Sequence, residues 1–404
     1  MITAIVTSDN HLGAYYARMR PDLLERRRRR LQLGFERAVD CAISRGVGLF
    51  LQAGDLFDRP DPRNADRRFV AEQLRRLRDA GIPVFAIAGN HDSPRSYGYD
   101  GGVTPHEELQ ALGGIHLFRG SDLLQTEALS IGGHRVCVSG MSSDFNRPPD
   151  CCPLDGSTSP PAPLPRGEGS QGDIHIVLLH YGVEGWAQPF AAEPCLARRN
   201  LDALGADAVC VGHLHTRAEA RMPGGGLLLN PGATEHIHFG EEALEAGCWL
   251  LRLEPGRAYA EYLPFVPQPM RTLTVTLDEA TEDPTAFVRE CMSGVCAADQ
   301  LLRVRLTGRL RRNALQDLDI AALQAEGAAH NFYCQVETDA LTAFDPGADI
   351  FVEIGFSFDV REELRTTAEA MAKAHADDAV TAEVYRLAGQ ELTAACDRIA
   401  GGNR

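Results

Sequence analysis

The side chains best suited to chemistry are carboxylates, an amide and imidazoles that fall in five short motifs. The motifs are Asp-x-His at 9–11, Gly-Asp at 54–55, Gly-Asn-His-Asp at 89–92, a single His180 and Gly-His-Leu-His at 212–215. Mixed oxygen and nitrogen donors of this kind suit Mn²⁺, Fe²⁺ or Zn²⁺, whereas Mg²⁺ and Ca²⁺ prefer oxygen ligands. Seven donors are too many for one tetrahedral ion, so we predict two divalent metal ions about 3.5–4 Å apart with one bridging carboxylate. The candidate ligands are Asp9, His11, Asp55, Asn90, His180, His213 and His215.

Each motif directly follows an apolar segment that we predict to be a β-strand. Over the first 265 residues, segments with strand character (2–7, 48–53, 83–88) alternate with segments of helical periodicity (21–45, 64–80). Such alternation predicts an α/β core. Because the loops at the carboxyl edge of an α/β sheet converge, ligands that are far apart in the sequence are expected to meet there.

Changes in the alternation of predicted strands and helices divide the chain into three predicted parts. Residues 1–267 form a core that contains all five motifs, and a Pro-, Gly- and Ser-rich insertion at 146–173 interrupts it and is predicted to be disordered. Residues 268–358 contain a separate alternation of predicted strands and helices and are predicted to form a small α/β domain. Residues 359–404 are predicted to be a helical tail.

The composition is that of a globular protein and excludes several other classes. The 404 residues are 44% hydrophobic and 24% charged, and the longest apolar runs have only the length of a strand. The first residues lack the features of a signal peptide, so we expect a cytoplasmic protein that does not cross a membrane. The 11 cysteines include no Cys-x-x-Cys pair, which argues against a zinc ribbon and against a disulfide framework.

The distribution of charge along the chain indicates where a polyanionic partner such as nucleic acid could bind. The net charge is −16, yet residues 1–100 contain 17 arginines and only 13 acidic residues, so they form the basic end of the chain. Five consecutive arginines at 26–30 lie in the first predicted helix, where they form either a solvated surface or a phosphate-contacting patch. Four further arginines follow the second motif and are candidates for phosphate contact: Arg59, Arg63, Arg67 and Arg68.

Together and in this order, the five motifs resemble the pattern of the calcineurin-like metallophosphoesterase superfamily over about residues 1–240. Longer segments are similar to the SbcD-type exonucleases of double-strand-break repair: Ser8-Asp-Asn-His-Leu-Gly, Ala53-Gly-Asp-Leu-Phe-Asp, Ala88-Gly-Asn-His-Asp-Ser, Val211-Gly-His-Leu-His and Asn230-Pro-Gly-Ala-Thr-Glu with Phe239-Gly-Glu-Glu. The resemblance implies an α/β fold in which a metallophosphoesterase β-sandwich flanked by helices precedes a small α/β capping domain and a helical C-terminal tail.

The resemblance also implies a role for each motif residue. One metal is held by Asp9, His11, Asp55 and His215, and the other by Asp55, Asn90, His180 and His213, with Asp55 as the bridge. His91 is left over from ligation and faces the leaving group as general acid or transition-state stabiliser. The residues expected beside the substrate are Asp58, Arg59, Arg63 and His236.

The implied activity is Mn²⁺-dependent hydrolysis of DNA by 3′→5′ exonuclease cutting of duplex ends and single-strand endonuclease cutting. The chain has no Gly-Lys-Ser/Thr loop for ATP, so ATP dependence requires a partner, which the resemblance identifies as an SbcC-type SMC-like ATPase. The resemblance further implies a homodimer that acts on DNA ends at the nucleoid. Two alternatives stay open: another two-metal phosphoesterase that acts on a nucleotide or phosphoprotein, and a DNA-end-binding scaffold.

Overall fold

Two six-stranded β-sheets pack against each other in the N-terminal part of the chain, and helices cover their outer faces. The computed structural model describes residues 1–94, 103–148, 151–154, 173–186, 193–344, 365, 367–369, 371–373 and 379–401. Contacts between residues divide the chain into two compact units, Met1–Ala343 and Phe344–Arg404.

The strands and helices have the following bounds. The strands are β1 (Ile2–Thr7), β2 (Leu49–Ala53), β3 (Val84–Ile87), β4 (His116–Leu117), β5 (Gln125–Ile131), β6 (His134–Gly140), β7 (Ile174–His180), β8 (Gly182–Val183), β9 (Cys195–Leu196), β10 (Ala208–Gly212), β11 (Ala218–Arg221), β12 (Leu227–Asn230), β13 (Ala246–Glu254), β14 (Arg257–Phe265), β15 (Met270–Leu277), β16 (Leu301–Arg311) and β17 (Tyr333–Phe344). The helices are α1 (Pro21–Arg45), α2 (Asn64–Asp79), α3 (Pro105–Ala111), α4 (Arg198–Ala203), α5 (Pro284–Ser293), α6 (Arg312–Gln316), α7 (Ile320–His330) and α8 (Ala379–Gly401), with a 3₁₀ turn at Phe239–Glu241.

The two sheets have the strand orders β14-β13-β1-β2-β3-β4 and β11-β12-β10-β7-β6-β5. Strands β1, β2 and β3 run parallel, as do β6, β7, β10 and β12. The apolar side chains between the sheets come from both of them and form one buried cluster. This arrangement confirms the expected β-sandwich flanked by helices, and it brings the carboxyl ends of β1, β2, β3, β7 and β10 to one edge.

Helix α1 shows how the sequence pattern fixes the packing. It begins with Pro21 and ends at Arg45, and the next residue, Gly46, has a φ of 57°, the left-handed conformation favoured by glycine. The apolar positions predicted from the helical period are buried against the first sheet, among them Leu31 and Phe35. The same face also buries Arg27, which the periodicity did not predict.

A three-stranded sheet of order β15-β16-β17, with α5 and α7 packed on it, follows the sandwich. It belongs to the same compact unit as the sandwich. Met19 and Leu24 from the sandwich side bury apolar surface against Met270, Leu301 and Phe332. The division of the chain at residue 267 therefore stays a prediction about domains, although the small sheet does have its own apolar core.

The second unit contains α8, and helical backbone also occurs at 365, 367–369 and 371–373, within the predicted helical tail. Most of the Pro-rich insertion predicted at 146–173 lies outside the described residues, as does much of 345–378. Among the helices that the structure describes, none is long and apolar enough to cross a membrane.

Candidate metal centre

A cavity of about 550 Å³ opens at the carboxyl edge of the sandwich, where the loops that carry the five motifs meet. Its walls include His11, Asp55, Asn90, His213 and His215. The remaining candidate ligands, Asp9 and His180, lie fully buried beneath it. All seven residues that the sequence singled out as ligands are therefore brought to one place.

The first group of potential ligands contains Asp9, His11 and His215, whose donor atoms lie within 4.8 Å of one another. The Nε2 atoms of His11 and His215 are 3.1 Å apart, and His11 Nε2 is 3.7 Å from Asp55 Oδ2. Imidazole nitrogens at this separation point at a common centre that a cation could occupy.

The second group lies on the other side of Asp55. His180 Nε2 is 3.2 Å from Asp55 Oδ2 and 3.1 Å from Asn90 Oδ1. The amide oxygen of Asn90 is also 3.3 Å from His213 Nδ1. The Oδ2 atom of Asp55 is thus within reach of both groups, which is the position a bridging carboxylate must have.

The backbone at these ligands is held in an unusual conformation. Asp9, His11, Asp55 and His213 have φ values of 49°, 45°, 53° and 101°, in a region that non-glycine residues rarely adopt. Hydrogen bonds between loops hold the first two motifs in register, because the N–H groups of residues 10 and 11 both donate to the Asp55 carbonyl, at 2.8 and 3.1 Å. Left-handed backbone at several ligands is typical of a functional site in which the surrounding fold enforces the geometry.

Asp92, the last residue of the Gly-Asn-His-Asp motif, joins the second and third motifs. Its buried carboxylate accepts hydrogen bonds from the N–H groups of Leu56, Phe57 and Gly89, at 3.0, 2.7 and 3.2 Å. This side chain therefore positions the loops on either side of Asp55, a role that its motif position alone did not reveal.

The ionisable groups at the centre stabilise one another's charged forms. Burial by itself would raise the pKa of Asp55, but the imidazoles of His180, His11 and His91 outweigh it and hold that pKa well below its usual value. Burial would lower the pKa of His180, yet the Asp55 carboxylate raises it to about 9. His215 behaves in the same way: despite burial, its hydrogen bond to Glu241 and the nearby Asp9 charge raise its pKa to about 9.

Two glutamates that the sequence analysis did not propose as site residues also line the cavity, Glu193 and Glu241. Glu193 Oε2 lies 2.8 Å from His213 Nε2, and Glu241 Oε1 lies 2.6 Å from His215 Nδ1. The sequence contained a signal for Glu241, which lies in the Phe239-Gly-Glu-Glu segment. For Glu193, a single acidic residue in a loop, there was none.

Of the residues expected near the substrate, some line the cavity and others lie outside its wall. His91 lines the cavity with its side chain 44% exposed, and its ring stands edge-on to His11 with 4.6 Å between centroids. Asp58 also lines the cavity, and its Oδ1 lies 3.3 Å from His11 Nδ1. Arg59 is exposed outside the cavity wall, and Arg63 is engaged in ion pairs with Asp66 and Glu25.

His236 is not brought to the cavity. It is 5% exposed, and its Nε2 lies 2.9 Å from the carbonyl oxygen of Leu244. Its own carbonyl accepts a hydrogen bond from the buried Arg27 guanidinium. These contacts support the loop structurally, and the expected contact of His236 with substrate stays a prediction.

The run of five arginines does not form a uniformly solvated surface, because one member is buried and two others contact the segment after residue 267. Arg27 is fully buried and bonds to Glu235 and Gln268. Arg26 lies over the ring of Phe332, and Arg30 pairs with Asp299 at 2.6 Å, so both contact the small-sheet region. Three of the five guanidinium groups thus join α1 to the segment that follows residue 267.

The donor set fits divalent metal ions. It combines two buried carboxylates, an amide oxygen and four imidazoles in two adjoining groups, and this chemistry suits borderline transition metals. Such a centre at the carboxyl edge of a helix-flanked β-sandwich defines the class of metal-dependent phosphoesterases.

Comparison with known proteins gives the family. The Calcineurin-like phosphoesterase family model matches residues 2–217, more than half of the chain. The chain therefore belongs to the calcineurin-like phosphoesterase family, and the predicted resemblance and enzyme class are confirmed at that level.

Among curated proteins, the chain is 29% identical over 238 residues to the DNA double-strand break repair protein Mre11 of Sulfolobus acidocaldarius, covering 59% of this chain and 55% of that protein. It is 23% identical over 304 residues to the Mre11 protein of Saccharolobus solfataricus, covering 70% and 68%. It is also 27% identical over 229 residues to YhaO of Bacillus subtilis, an uncharacterized metallophosphoesterase, covering 55% and 50%. The matches thus span about half the length of the Sulfolobus and Bacillus relatives.

Proposed function

We propose that the chain is a Mn²⁺-dependent DNA nuclease of double-strand-break repair, which hydrolyses phosphodiester bonds as a 3′→5′ duplex exonuclease and a single-strand endonuclease. The observation that carries this proposal is the pair of ligand groups that share Asp55 Oδ2, at 3.7 Å from His11 Nε2 and 3.2 Å from His180 Nε2. The choice of DNA is supported by the similarity to two archaeal proteins named for double-strand break repair.

In this proposal the seven ligands divide as the resemblance to the family implies, and the short distances within each set support the division. One cation would be held by Asp9, His11, His215 and Asp55, and the other by Asn90, His180, His213 and Asp55. Divalent cations bound there supply Lewis acidity, which brings the pKa of water near neutrality and neutralises charge on the phosphoryl group. The mixture of imidazole and carboxylate donors favours Mn²⁺ over Mg²⁺.

The chain's own residues orient the substrate and move the proton. His91 lies in the cavity wall beside the first ligand group, with its side chain open to the cavity. Its Nδ1 is 3.1 Å from the Asp58 carbonyl oxygen, which fixes the ring and leaves Nε2 as the atom that faces the cavity. From this position the imidazolium form of His91, which donates its Nδ1 proton to the Asp58 carbonyl, can give its Nε2 proton to the departing 3′ oxygen as a general acid and is left as the neutral imidazole.

The proposed nuclease activity also suggests which molecules the chain binds. DNA ends are the substrate, and a second copy of the chain and an SbcC-type SMC-like ATPase are the proposed protein partners, with α8 as the candidate contact for the ATPase. Exposed apolar side chains on this helix support such a contact: Val384, Leu387 and Leu392. Action on chromosomal DNA would place the protein in the cytoplasm, at the nucleoid.

The proposal is tested by incubating an end-labelled linear duplex with the protein and Mn²⁺, beside a chromogenic phosphodiester. We expect duplex cleavage that chelator and Asp55→Ala both abolish. Turnover of the small diester with an intact duplex, even when an SbcC-type ATPase is added, would favour another two-metal phosphoesterase. Duplex binding that persists in Asp55→Ala, without cleavage by the unaltered chain, would favour a DNA-end-binding scaffold.

A further inference from the structure

The two histidines of Gly-His-Leu-His each present one ring nitrogen to the ligand groups and the other to a glutamate. His213 directs Nδ1 toward Asn90 and Nε2 toward Glu193. His215 directs Nε2 toward His11 and Nδ1 toward Glu241. The two rings thus use opposite nitrogens, and each of the two ligand groups has its own outer carboxylate.

Glu241 is held rigidly in this role. It ends the 3₁₀ turn at Phe239–Glu241, and its side chain is only 2% exposed. Its Oε1 lies 2.6 Å from His215 Nδ1 and 2.9 Å from His238 Nε2, while Oε2 accepts the N–H of Ile237 at 2.6 Å. A carboxylate fixed at both oxygens determines the orientation of the His215 ring.

Glu193 makes the equivalent contact from the other wall of the cavity. Its Oε2 is 2.8 Å from His213 Nε2, and its side chain is 25% exposed. Because a carboxylate accepts the proton of this nitrogen, the lone pair of the imidazole is left on Nδ1, the atom that faces Asn90. The glutamate therefore selects the tautomer that a metal ligand requires.

We propose that Glu193 and Glu241 are positioning residues, one for each metal, which fix the tautomer and ring orientation of His213 and His215. This inference rests on the two-metal assignment proposed above and adds to it two residues outside the ligand set. Carboxylates that accept the outer N–H of a ligating histidine also raise its basicity, and removing them weakens metal affinity by about 10–100-fold. Each glutamate is expected to act on its own metal alone.

The test is calorimetric titration of Mn²⁺ into the chelator-treated chain of 404 residues. We expect Glu241→Ala and Glu193→Ala each to weaken one of two Mn²⁺ sites by about 10–100-fold and to leave the other within about threefold. Glu193→Gln and Glu241→Gln keep an oxygen acceptor for the ring N–H, so they should recover part of the affinity. The control is Glu245→Ala, which removes a carboxylate from a nearby loop position paired with Arg217 rather than with a histidine.

The assignment of one glutamate to each metal is tested in His11→Ala, which disrupts the first ligand group. In that background, Glu193→Ala should weaken the remaining Mn²⁺ site, whereas Glu241→Ala should not change it. The inference is overturned if both alanine variants bind two Mn²⁺ as tightly as the unaltered chain, or if both weaken the same site. If the unaltered chain does not bind two Mn²⁺, the two-metal assignment itself fails, so the two failures are distinguishable.

Discussion

Replacing Gly89 with alanine would place a methyl group against the Asp55 carboxylate, which we propose bridges the two metals. An ideal Cβ at this position lies 2.1 Å from Asp55 Oδ1 and 2.6 Å from the Asp55 backbone nitrogen. Gly89 does not have the left-handed φ that would itself disfavour alanine, so the substitution tests contact alone. To restore even a 3 Å separation, Asp55 Oδ1 must withdraw by about 1 Å, and a misplacement of this size can cost about 100-fold in turnover.

The assay measures Mn²⁺ stoichiometry by calorimetry and phosphodiester turnover, beside circular dichroism and the unfolding temperature. We expect Gly89→Ala to remain folded, to bind at least one Mn²⁺ more weakly, and to lose about 100-fold or more in turnover. The matched control is Gly294→Ala, at the end of α5. Gly294 has a φ of −78°, and apart from its two chain neighbours no described residue has a heavy atom within 4 Å of the added Cβ.

Two results would refute this reasoning. A Gly89→Ala protein with two tightly bound Mn²⁺ and nearly unchanged turnover would show that Asp55 does not bridge the metals from the position described. An equal loss of activity in Gly294→Ala would show that the effect is unrelated to contact with Asp55.

Three further predictions concern the same unit. His91→Ala should retain both metals and lose about 10²–10⁴-fold in turnover, because the backbone N–H of residue 91, which bonds Asp55 Oδ1, is kept; loss of metal in an elemental assay would contradict its role as an acid. Arg27→Met should lower the free energy of unfolding in urea by about 3–5 kcal/mol, because it leaves the buried Glu235 carboxylate without its ion-pair partner. As a control, Arg29→Met, at a half-exposed position, should lower it by at most about 1 kcal/mol. Equal losses of stability in the two variants would contradict the prediction. His180 and His215, each with a pKa of about 9 in the metal-free protein, must lose protons to ligate, so Mn²⁺ affinity should rise from pH 7 to 9; titration in two buffers of different ionisation enthalpy would reveal protons released, and their absence would contradict the prediction.

The convergence of the candidate ligands was largely predictable, because each of them belongs to a short motif that directly follows a strand. The helical period of α1 and the strand character of β1, β2 and β3 were sufficient to place Asp9, Asp55 and Asn90 at one sheet edge. That expectation depended only on the rule that the carboxyl ends of parallel strands meet at the same edge. The structure gives the same edge and adds the distances between ligands.

Contacts between distant residues were not predictable in the same way. Glu193 lies 20 residues from His213, and nothing in its local sequence distinguishes it from a solvated loop glutamate. Arg27 belongs to a run of identical residues, so only the fold decides that this one is buried. His236 lies close in sequence to a motif, yet its ring faces the carbonyl of Leu244 rather than the cavity.

Anomalous diffraction from crystals of the protein soaked in Mn²⁺ tests the central claim most directly. The account predicts two peaks about 3.5–4 Å apart, one among Asp9, His11 and His215 and one among Asn90, His180 and His213. Asp55 should contact both peaks. A single peak, or two peaks without Asp55 between them, would contradict the two-metal centre on which the proposed nuclease activity depends.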